Sequence, residues 1–292
     1  MLNSLIPGIS LSDRPCRNEE QLREACSGYT SVVVGSDQVW NPELTDNDQA
    51  FLLGFVPENI KRISYAASFG LDDLPLQYHS DFKNHLEKFD HLSVRETAGK
   101  RIINSLISRD VEVVLDPTLL LDAKKWDLIA NSSPVVPHPY ILAFSVRGYD
   151  SNVMKIACDL KRKFNLPVIG AGRGVTEFFD RTVEKNINRG PGTFLQLIKG
   201  AAFVVTNSYH GTIFAINYQR PFLTLPTNQN MVSRMKNILN LLEFNDRLVE
   251  NPESLPDSLR ELDFEKASMI LAQQREKSIQ YLKNALLSGE VR

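Results

Sequence analysis

The sequence has few cysteines and no long apolar run, and these two absences limit what the protein can be. Among its 292 residues only Cys16, Cys26 and Cys158 are cysteines, and no two of them form a CxxC pair. Neither a disulfide framework nor a thiolate zinc site is therefore supported, and we expect three reduced thiols. No stretch of about 18 consecutive apolar residues occurs, so we predict no membrane-spanning helix.

An excess of charge of one sign is also absent. The formal net charge is −2, and 23% of the residues are charged, with lysine and arginine spread among the acids. Because no basic stripe with interleaved aromatic residues occurs, we expect no nucleic acid as partner. Residues 1–15 lack both a basic start and a continuous apolar core. They do not resemble a secretory signal, and the cytoplasm is the expected location.

Motifs for metal ions and for nucleotide phosphates are missing as well. His79, His85 and His91 recur at a spacing that does not bring them to one helix face, and no HExxH occurs. No GxxxxGK[ST] loop is present, and Gly170–Gly174 lacks the GxGxxG spacing of a dinucleotide-binding loop. We therefore predict neither a metal site nor a cofactor.

The sequence does contain a regular alternation of strand-like and helix-like segments in both halves. Apolar runs such as Ser31–Val34 and Phe203–Thr206 are typical of buried parallel strands, while Ser80–Phe89 carries apolar residues at helical spacing. This alternation predicts an α/β fold of two doubly wound, Rossmann-like domains. The proline-rich residues 132–139 mark the predicted boundary. The predicted parts are an N-terminal domain, a C-terminal domain and a final helical segment, at 1–133, 134–262 and 263–292.

Two polar clusters directly follow predicted strands. The first begins Gly35-Ser36-Asp37, and the second is Asn207-Ser208-Tyr209-His210-Gly211. Because ligand crevices in parallel sheets form at the carboxyl ends of strands, the second cluster predicts an anionic small molecule near His210. Simpler interpretations stay open: His210 can cap a helix or fill a turn, Asp37 can be a helix N-cap, and Trp40 can be core packing.

Five ordered segments carry a more specific signal. They are VVVGSDQVWNP (32–42), ISYAASFG (63–70), HLSVRE (91–96), VVLDPTLLL (113–121) and VVTNSYHGTIFAINYQRPF (204–222). Over roughly residues 30–245 the sequence resembles the polysaccharide pyruvyl transferase family. The resemblance implies a glycosyltransferase-B-like fold with two α/β domains facing a cleft. It also implies phosphoenolpyruvate as donor substrate and a sugar of a surface polysaccharide, or of its lipid-linked precursor, as acceptor.

Three residues are predicted to carry the chemistry of that family. Forming a pyruvate ketal requires a proton delivered to the enol methylene carbon and another removed from a sugar hydroxyl, and His210 suits either step. Asp37 is the second acid/base candidate, on the first domain. Arg95, at the family's Val-Arg-Asp/Glu position, is the third and is predicted to bind the anionic groups of phosphoenolpyruvate. The alternative for Arg95 is a weak surface pair with Glu96 or Asp90.

Other residues of the two clusters are predicted to bind substrate. On the acceptor side they are Gly35, Ser36, Gln38, Trp40 and Asn41, with Trp40 stacking on a sugar; on the donor side they are Asn207, Ser208, Tyr209, Gly211, Thr212 and Arg234. Many family members carry an arginine where this sequence has Ser208, which costs the site one positive charge. Arg234, expected at the start of a helix, or the helix N-terminus expected at Gly211-Thr212 can offset that loss. Asp116, in the Leu-Asp-Pro-Thr segment, is interpreted as a turn former and not as a catalytic residue.

One departure from the family keeps two alternatives open. Family members usually have a strand, a Gly/Asn-rich turn and a helix before the position of residue 31, whereas residues 1–30 here are polar and turn-rich, so the first domain can be incomplete. A nucleotide-sugar glycosyltransferase and a non-catalytic relative therefore remain as alternatives. The expected partners are phosphoenolpyruvate and a saccharide or lipid-linked saccharide, with peripheral association at the inner membrane face through the acceptor. We also expect the C-terminal helix to cross back to the first domain.

Overall fold

The computed structural model describes residues 14–130, 139–146, 148–172, 190–227 and 229–288. The chain divides into two compact units. The first consists of Met1–Phe69, Asp73–Val114 and Tyr281–Arg292, and the second of Gly70–Asp72 and Leu115–Gln280. The predicted domain boundary falls within residues 131–138, which lie outside the described residues, and it stays a prediction. The main division between the compact units lies between Val114 and Leu115.

The described residues of the first unit form four short parallel strands, β1 (Ser31–Val34), β2 (Lys61–Ser64), β3 (Ser93–Val94) and β4 (Glu112–Val113). β1 pairs with β2 and β3 pairs with β4. Isolated bridges join Ile63 to His91 and Ala67 to Val94, which brings β2 next to β3. The carboxyl ends of the strands therefore lie along one edge. The helices of this unit are α1 (Glu19–Cys26), α2 (Pro42–Thr45), α3 (His79–Leu86) and α4 (Thr97–Leu106), with 3-10 turns at Gln49–Leu52 and Leu76–Tyr78.

Aromatic residues fill the core of the first unit. The indole ring of Trp40 lies 5.5 Å from the ring of Phe69 and 5.7 Å from that of Phe89, measured between ring centroids. Phe82 from α3 extends the cluster, with its ring 5.4 Å from Phe69. Ring pairs at these distances bury much apolar surface and add a specific edge or tilted contact. The loop after β1 is therefore anchored in the core by Trp40.

In the second unit, the part of the chain that the structure describes forms a parallel sheet of four strands, β5 (Ile141–Ser145), β6 (Val168–Gly172), β7 (Phe203–Thr206) and β8 (Phe222–Thr224), in the order β6-β5-β7-β8. Its helices are α5 (Ala123–Ala130), α6 (Ser151–Phe164), α7 (Pro191–Gly200), α8 (Tyr209–Asn217), α9 (Gln229–Leu241) and the first part of α10 (Phe264–Leu287), with 3-10 turns at Pro117–Leu119 and Asn245–Arg247. Strand residues alternate between two cores, so that Leu142 and Val204 pack on one face while Ile141, Phe203 and Val205 pack on the other. Helices therefore cover both faces, as in a doubly wound sheet.

The C-terminal helix α10 contributes to both units. Its residues up to Gln280 belong to the second unit, and those from Tyr281 onward belong to the first. In the first unit the Tyr281 hydroxyl donates to the Ser64 carbonyl at 2.9 Å, and Lys61 Nζ donates to the Leu286 carbonyl at 3.2 Å. Of the helices in the described part of the chain, none has the length and apolar character that a bilayer crossing requires.

Candidate functional site

The strand order of the second sheet reverses between β5 and β7. β6 lies on one side of β5, whereas β7 and β8 lie on the other. The segments that follow β5 and β7 therefore turn to opposite faces of the sheet. This opens a crevice between the carboxyl ends of the two strands. The cluster Asn207-Ser208-Tyr209-His210-Gly211 follows β7 at this point. The sequence-predicted donor cluster thus occupies the topological switch point of its sheet.

Ser208 caps the helix that carries His210. Its Oγ accepts a hydrogen bond from the Gly211 N–H at 3.1 Å, and α8 begins at Tyr209. The predicted start of this helix at Thr212 was therefore wrong, because the serine side chain satisfies a first-turn N–H and lets the helix begin earlier. His210 lies in the first helical turn, beside the ring of Tyr209 at 5.7 Å in an edge-on arrangement.

Gly211 and Thr212 have structural roles at the start of α8. A Cβ at Gly211 would lie 2.6 Å from Thr206 Oγ1 and 3.1 Å from Phe144 Cδ1, so only glycine allows α8 to lie this close to the strands. The Thr212 hydroxyl is fully buried, and hydrogen bonds link it to the Ser208 carbonyl and to the Thr224 hydroxyl. Their predicted contact with substrate stays a prediction.

Asn207 joins the loops at the switch point. Its Oδ1 accepts from the Val146 N–H at 3.2 Å, and its Nδ2 donates to Asp150 Oδ2 at 2.8 Å. Asp150 in turn is the N-cap of α6. The buried amide of Asn207 therefore fixes the segments after β5 and β7 relative to each other. Arg234 lies within α9, past its first turn and not at its start, and its predicted contribution to donor binding stays a prediction.

His210 has a carboxylate neighbour that the sequence did not reveal. Its Nε2 lies 3.9 Å from Oδ2 of Asp116, and the side chains are 39% and 1% exposed, respectively. Asp116 is also the N-cap of the 3-10 turn Pro117–Leu119, since its Oδ1 accepts from the N–H and the hydroxyl of Thr118. The interpretation as a turn former is thus confirmed but incomplete. The Leu-Asp-Pro-Thr segment was the only available signal, and it does not indicate which side chain the carboxylate meets.

The first unit brings Asp37 and Arg95 together at the carboxyl edge of its strands. Asp37 pairs with Ala67 in an isolated bridge, and its carbonyl accepts from the Ser68 N–H at 2.9 Å. The Arg95 N–H donates to the Ala67 carbonyl at 3.2 Å. The guanidinium Nη2 of Arg95 lies 3.5 Å from Asp37 Oδ1, and the Asp37 side chain is 64% exposed. An accessible carboxylate is therefore held against a buried cation.

Asp37 also has an unusual backbone. Its φ is 73°, in the left-handed region that costs a non-glycine residue free energy and is enriched at functional positions. The helix after β1 is capped by Asn41 and begins at Pro42, so the alternative of Asp37 as helix N-cap is wrong. The strained backbone and the exposed carboxylate together support Asp37 as a functional residue.

Arg95 differs from both of its predicted interpretations. Its side chain is 1% exposed, with Nε 3.5 Å from Oε2 of the equally buried Glu96. Ser68 Oγ donates to the other Glu96 oxygen at 2.7 Å. A surface ion pair is therefore excluded, and direct contact with phosphoenolpyruvate is not available to a guanidinium enclosed between two carboxylates. Arg95 lies beside Asp37 and Glu96, of which the sequence analysis named Glu96 as a surface partner, and nothing in the sequence indicated that Ser68 would bind Glu96.

The remaining acceptor-side predictions divide into core and edge residues. Trp40 is 1% exposed with its ring against Phe69 and Phe89, and its Nε1 donates to the Phe51 carbonyl, so it cannot stack on a sugar. Asn41 is buried as the cap of α2 and donates to Gln38 Oε1 at 3.1 Å. Gly35, Ser36 and Gln38 lie at the strand edge as predicted, and their contact with substrate stays a prediction. Within the described ranges, no group of three or more His, Cys, Asp or Glu side chains is arranged to bind a metal.

Comparison with known proteins identifies both a family and a fold. The family model of polysaccharide pyruvyl transferase matches residues 1–229. The structure of UDP-GlcNAc 2-epimerase from Methanocaldococcus jannaschii is similar, with a TM-score of 0.56 and 15% identity over 91% of this chain and 80% of that chain. A second structure of that enzyme, in complex with UDP-GlcNAc and UDP, gives a TM-score of 0.51 and 15% identity over 91% and 79% of the two chains. No curated protein matches by sequence. The structural likeness shows the fold alone and confirms the predicted α/β, Rossmann-like, glycosyltransferase-B-like class.

Proposed function

Because the chain belongs to the polysaccharide pyruvyl transferase family, we propose that it transfers the pyruvyl group of phosphoenolpyruvate to a sugar diol. The acceptor is a surface polysaccharide or its lipid-linked precursor. In this reaction two sugar hydroxyl oxygens bond to C2 of the enol, the methylene carbon gains a proton to become a methyl group, and the phosphate leaves with the second hydroxyl proton. The observation that carries the proposal is the half-exposed imidazole of His210 at the switch point of the second sheet.

His210, in the second unit, is proposed to donate the proton that the enol methylene carbon gains. Its imidazole can deliver a proton to the methylene carbon and be reprotonated from solvent, because the ring is partly accessible. The N-terminus of α8 adds partial positive charge beside it, which favours a phosphate or carboxylate. Arg234 is proposed as a further cation for the donor.

Asp37 is proposed to take the proton of the acceptor hydroxyl. It has the exposure that a sugar contact requires, and Arg95 keeps its carboxylate in one place. Gly35, Ser36 and Gln38 are proposed to contact the same sugar. A lipid-linked acceptor would bring the protein to the inner face of a membrane from the cytoplasm, and the proposed reaction needs no cofactor beyond the donor substrate.

The test is calorimetric titration with phosphoenolpyruvate, followed by phosphate release in the presence of candidate acceptors. We expect wild type to bind, His210→Gln to bind at least about tenfold more weakly, and His79→Gln, which alters a histidine bonded to the Leu74 carbonyl, to bind as wild type. Asp37→Asn keeps a residue that tolerates positive φ, so it should bind the donor normally yet release phosphate about a hundredfold more slowly. Asp46→Asn, another residue with positive φ, is its matched control.

Arg95→Ala is a poor probe of donor binding. Removing this guanidinium leaves Glu96 buried without its cation, which typically costs about 3–5 kcal/mol of stability. Lost binding in that variant would therefore report unfolding. Failure of folded wild type to bind phosphoenolpyruvate would overturn the proposal. Binding of a nucleotide-sugar instead would then favour a glycosyltransferase, and binding of neither ligand would favour a non-catalytic relative.

A further inference from the structure

We propose that Asp116 is a positioning residue for His210, an inference that rests on the proposed function. The two side chains approach to 3.9 Å between carboxylate Oδ2 and imidazole Nε2. That separation is an ion-pair distance and is too long for a hydrogen bond. A carboxylate this close attracts the N–H side of the imidazole and keeps the ring directed toward it. Asp116 thereby holds the His210 ring in one orientation for the proposed proton transfer.

The carboxylate is fixed in the protein on its other side. Thr118 donates twice to Asp116 Oδ1, from its N–H at 2.9 Å and from its hydroxyl at 2.6 Å. A buried carboxylate costs desolvation free energy, and these two donors offset part of that cost. Because the donors set the carboxylate's rotation, Oδ2 stays on the side of His210.

The turn that carries Asp116 is also tied to the helix that carries His210. Trp126 Nε1 donates to the Thr118 carbonyl at 2.9 Å, and the Trp126 ring meets that of Phe214 on α8 at 5.1 Å, edge to face. Asn217, at the end of α8, donates from Nδ2 to the Leu121 carbonyl at 2.9 Å. These contacts hold both ends of the pair to neighbouring parts of one core.

Arg275 from α10 adds a third connection. Its Nε donates to the Leu119 carbonyl at 2.6 Å, and its Nη2 donates to Asn217 Oδ1 at 3.1 Å. A single guanidinium therefore bridges the Asp116 turn and α8. If Asp116 only formed a turn, that turn would not need to be held against α8. Keeping the Asp116 carboxylate at a fixed distance from His210 does require it.

Asp116→Asn separates the two roles of this residue. Asparagine is as good an N-cap as aspartate, so the turn is retained while the negative charge beside His210 is lost. The matched control is Asp122→Asn, which makes the same change at an exposed aspartate whose Oδ1 accepts from the Lys125 N–H. We expect the urea midpoint of both variants to stay near that of wild type.

The first readout is the rate at which diethyl pyrocarbonate modifies His210 at about pH 6. Mass spectrometry follows the modification, which slows when a neighbouring group holds the reacting imidazole nitrogen. We expect the rate to rise about twofold or more in Asp116→Asn, to stay unchanged in Asp122→Asn, and to return toward wild type in Asp116→Glu. Modification of His79 serves as the internal reference. An unchanged His210 rate in Asp116→Asn overturns the pairing whether or not the protein turns over phosphoenolpyruvate.

The second readout is the separation of kcat from KM in phosphate release. Asp116→Asn should lower kcat at least about tenfold while the KM for phosphoenolpyruvate changes less than about twofold. A normal kcat with an altered modification rate would overturn the positioning role. If wild type shows no turnover, the proposed function fails separately, and the modification rate alone decides whether Asp116 and His210 are paired.

Discussion

At the scale of single residues, Gly211 shows how closely the donor-side helix lies on its sheet. The space where a Cβ would stand is occupied by the Thr206 hydroxyl and the Phe144 ring. Thr206 Oγ1 cannot easily move, because it donates to the Phe144 carbonyl at 2.8 Å and accepts from the Ser208 N–H at 3.0 Å. The position of His210 therefore depends on the absence of a side chain at the next residue.

Gly211→Ala should lower the free energy of unfolding by about 1–3 kcal/mol, the usual cost of an extra methyl group in a packed region. Urea denaturation of the purified variant measures this change. Gly28→Ala is the matched control, since a Cβ at Gly28 would meet nothing within 4 Å. Equal stabilities of the two variants would show that α8 can move away from the strands without cost.

Local sequence patterns predict where a residue lies along a strand or turn, but not how exposed its side chain is. His210, Asp37 and Arg95 were placed at strand ends from local patterns, and the structure has them there. Their exposure was not predictable, because burial depends on which distant segments cover a side chain. Arg95 is enclosed by Glu96 and Asp37, and Trp40 by rings from later segments.

At the scale of elements, the end of α10 is stabilised by a lysine from a strand. The last carbonyl groups of a helix have no partner within it and carry partial negative charge. Lys61 is buried, and its Nζ donates to the Leu286 carbonyl at 3.2 Å and to the Ala285 carbonyl at 3.5 Å. The neighbouring His91 Nε2 lies 2.9 Å from Ser288 Oγ. The first unit therefore holds the end of this helix through β2 and the segment before β3.

Lys61→Met should lower the free energy of unfolding by about 1–2 kcal/mol, because the buried carbonyls lose a charged donor. Chemical denaturation measures the loss, and hydrogen exchange of the last turn of α10 should quicken in parallel. Lys283→Met removes an exposed lysine from the same helix and should change stability by less than about 0.5 kcal/mol. A similar loss in both variants would contradict a capping role for Lys61.

At the scale of the whole molecule, buried tyrosines in both units link stability to alkaline pH. Burial raises the pKa of Tyr140 in the second unit and of Tyr281 in the first above the ordinary value. Each hydroxyl donates to a backbone carbonyl, of Leu197 at 2.7 Å and of Ser64 at 2.9 Å. The folded protein therefore retains these two protons at a pH where the unfolded chain has lost them.

The free energy of unfolding should therefore fall as the pH rises in the alkaline range. A raised pKa in the folded state contributes stability that is complete below the unfolded value of about 10 and is lost as pH rises above it. Each tyrosine should steepen the decrease in the free energy of unfolding by up to about 1.4 kcal/mol per pH unit. Urea denaturation between about pH 8 and pH 11 measures the slope. Tyr281→Phe should make the slope shallower, whereas Tyr29→Phe, at an exposed tyrosine, should leave the slope unchanged. Equal slopes in wild type and both variants would refute the linkage.

The sequence by itself determined the α/β class, the approximate strands and helices, and the strand ends at which the candidate residues lie. These features follow from periodicity, capping and turn chemistry, which act between residues close together in the chain. Only the tertiary structure decided that Asp116 meets His210, that Arg95 is enclosed by two carboxylates, and that Trp40 belongs to the core. The reason is physical: burial and the pairing of charges depend on segments far apart in sequence, and folding alone brings those segments together.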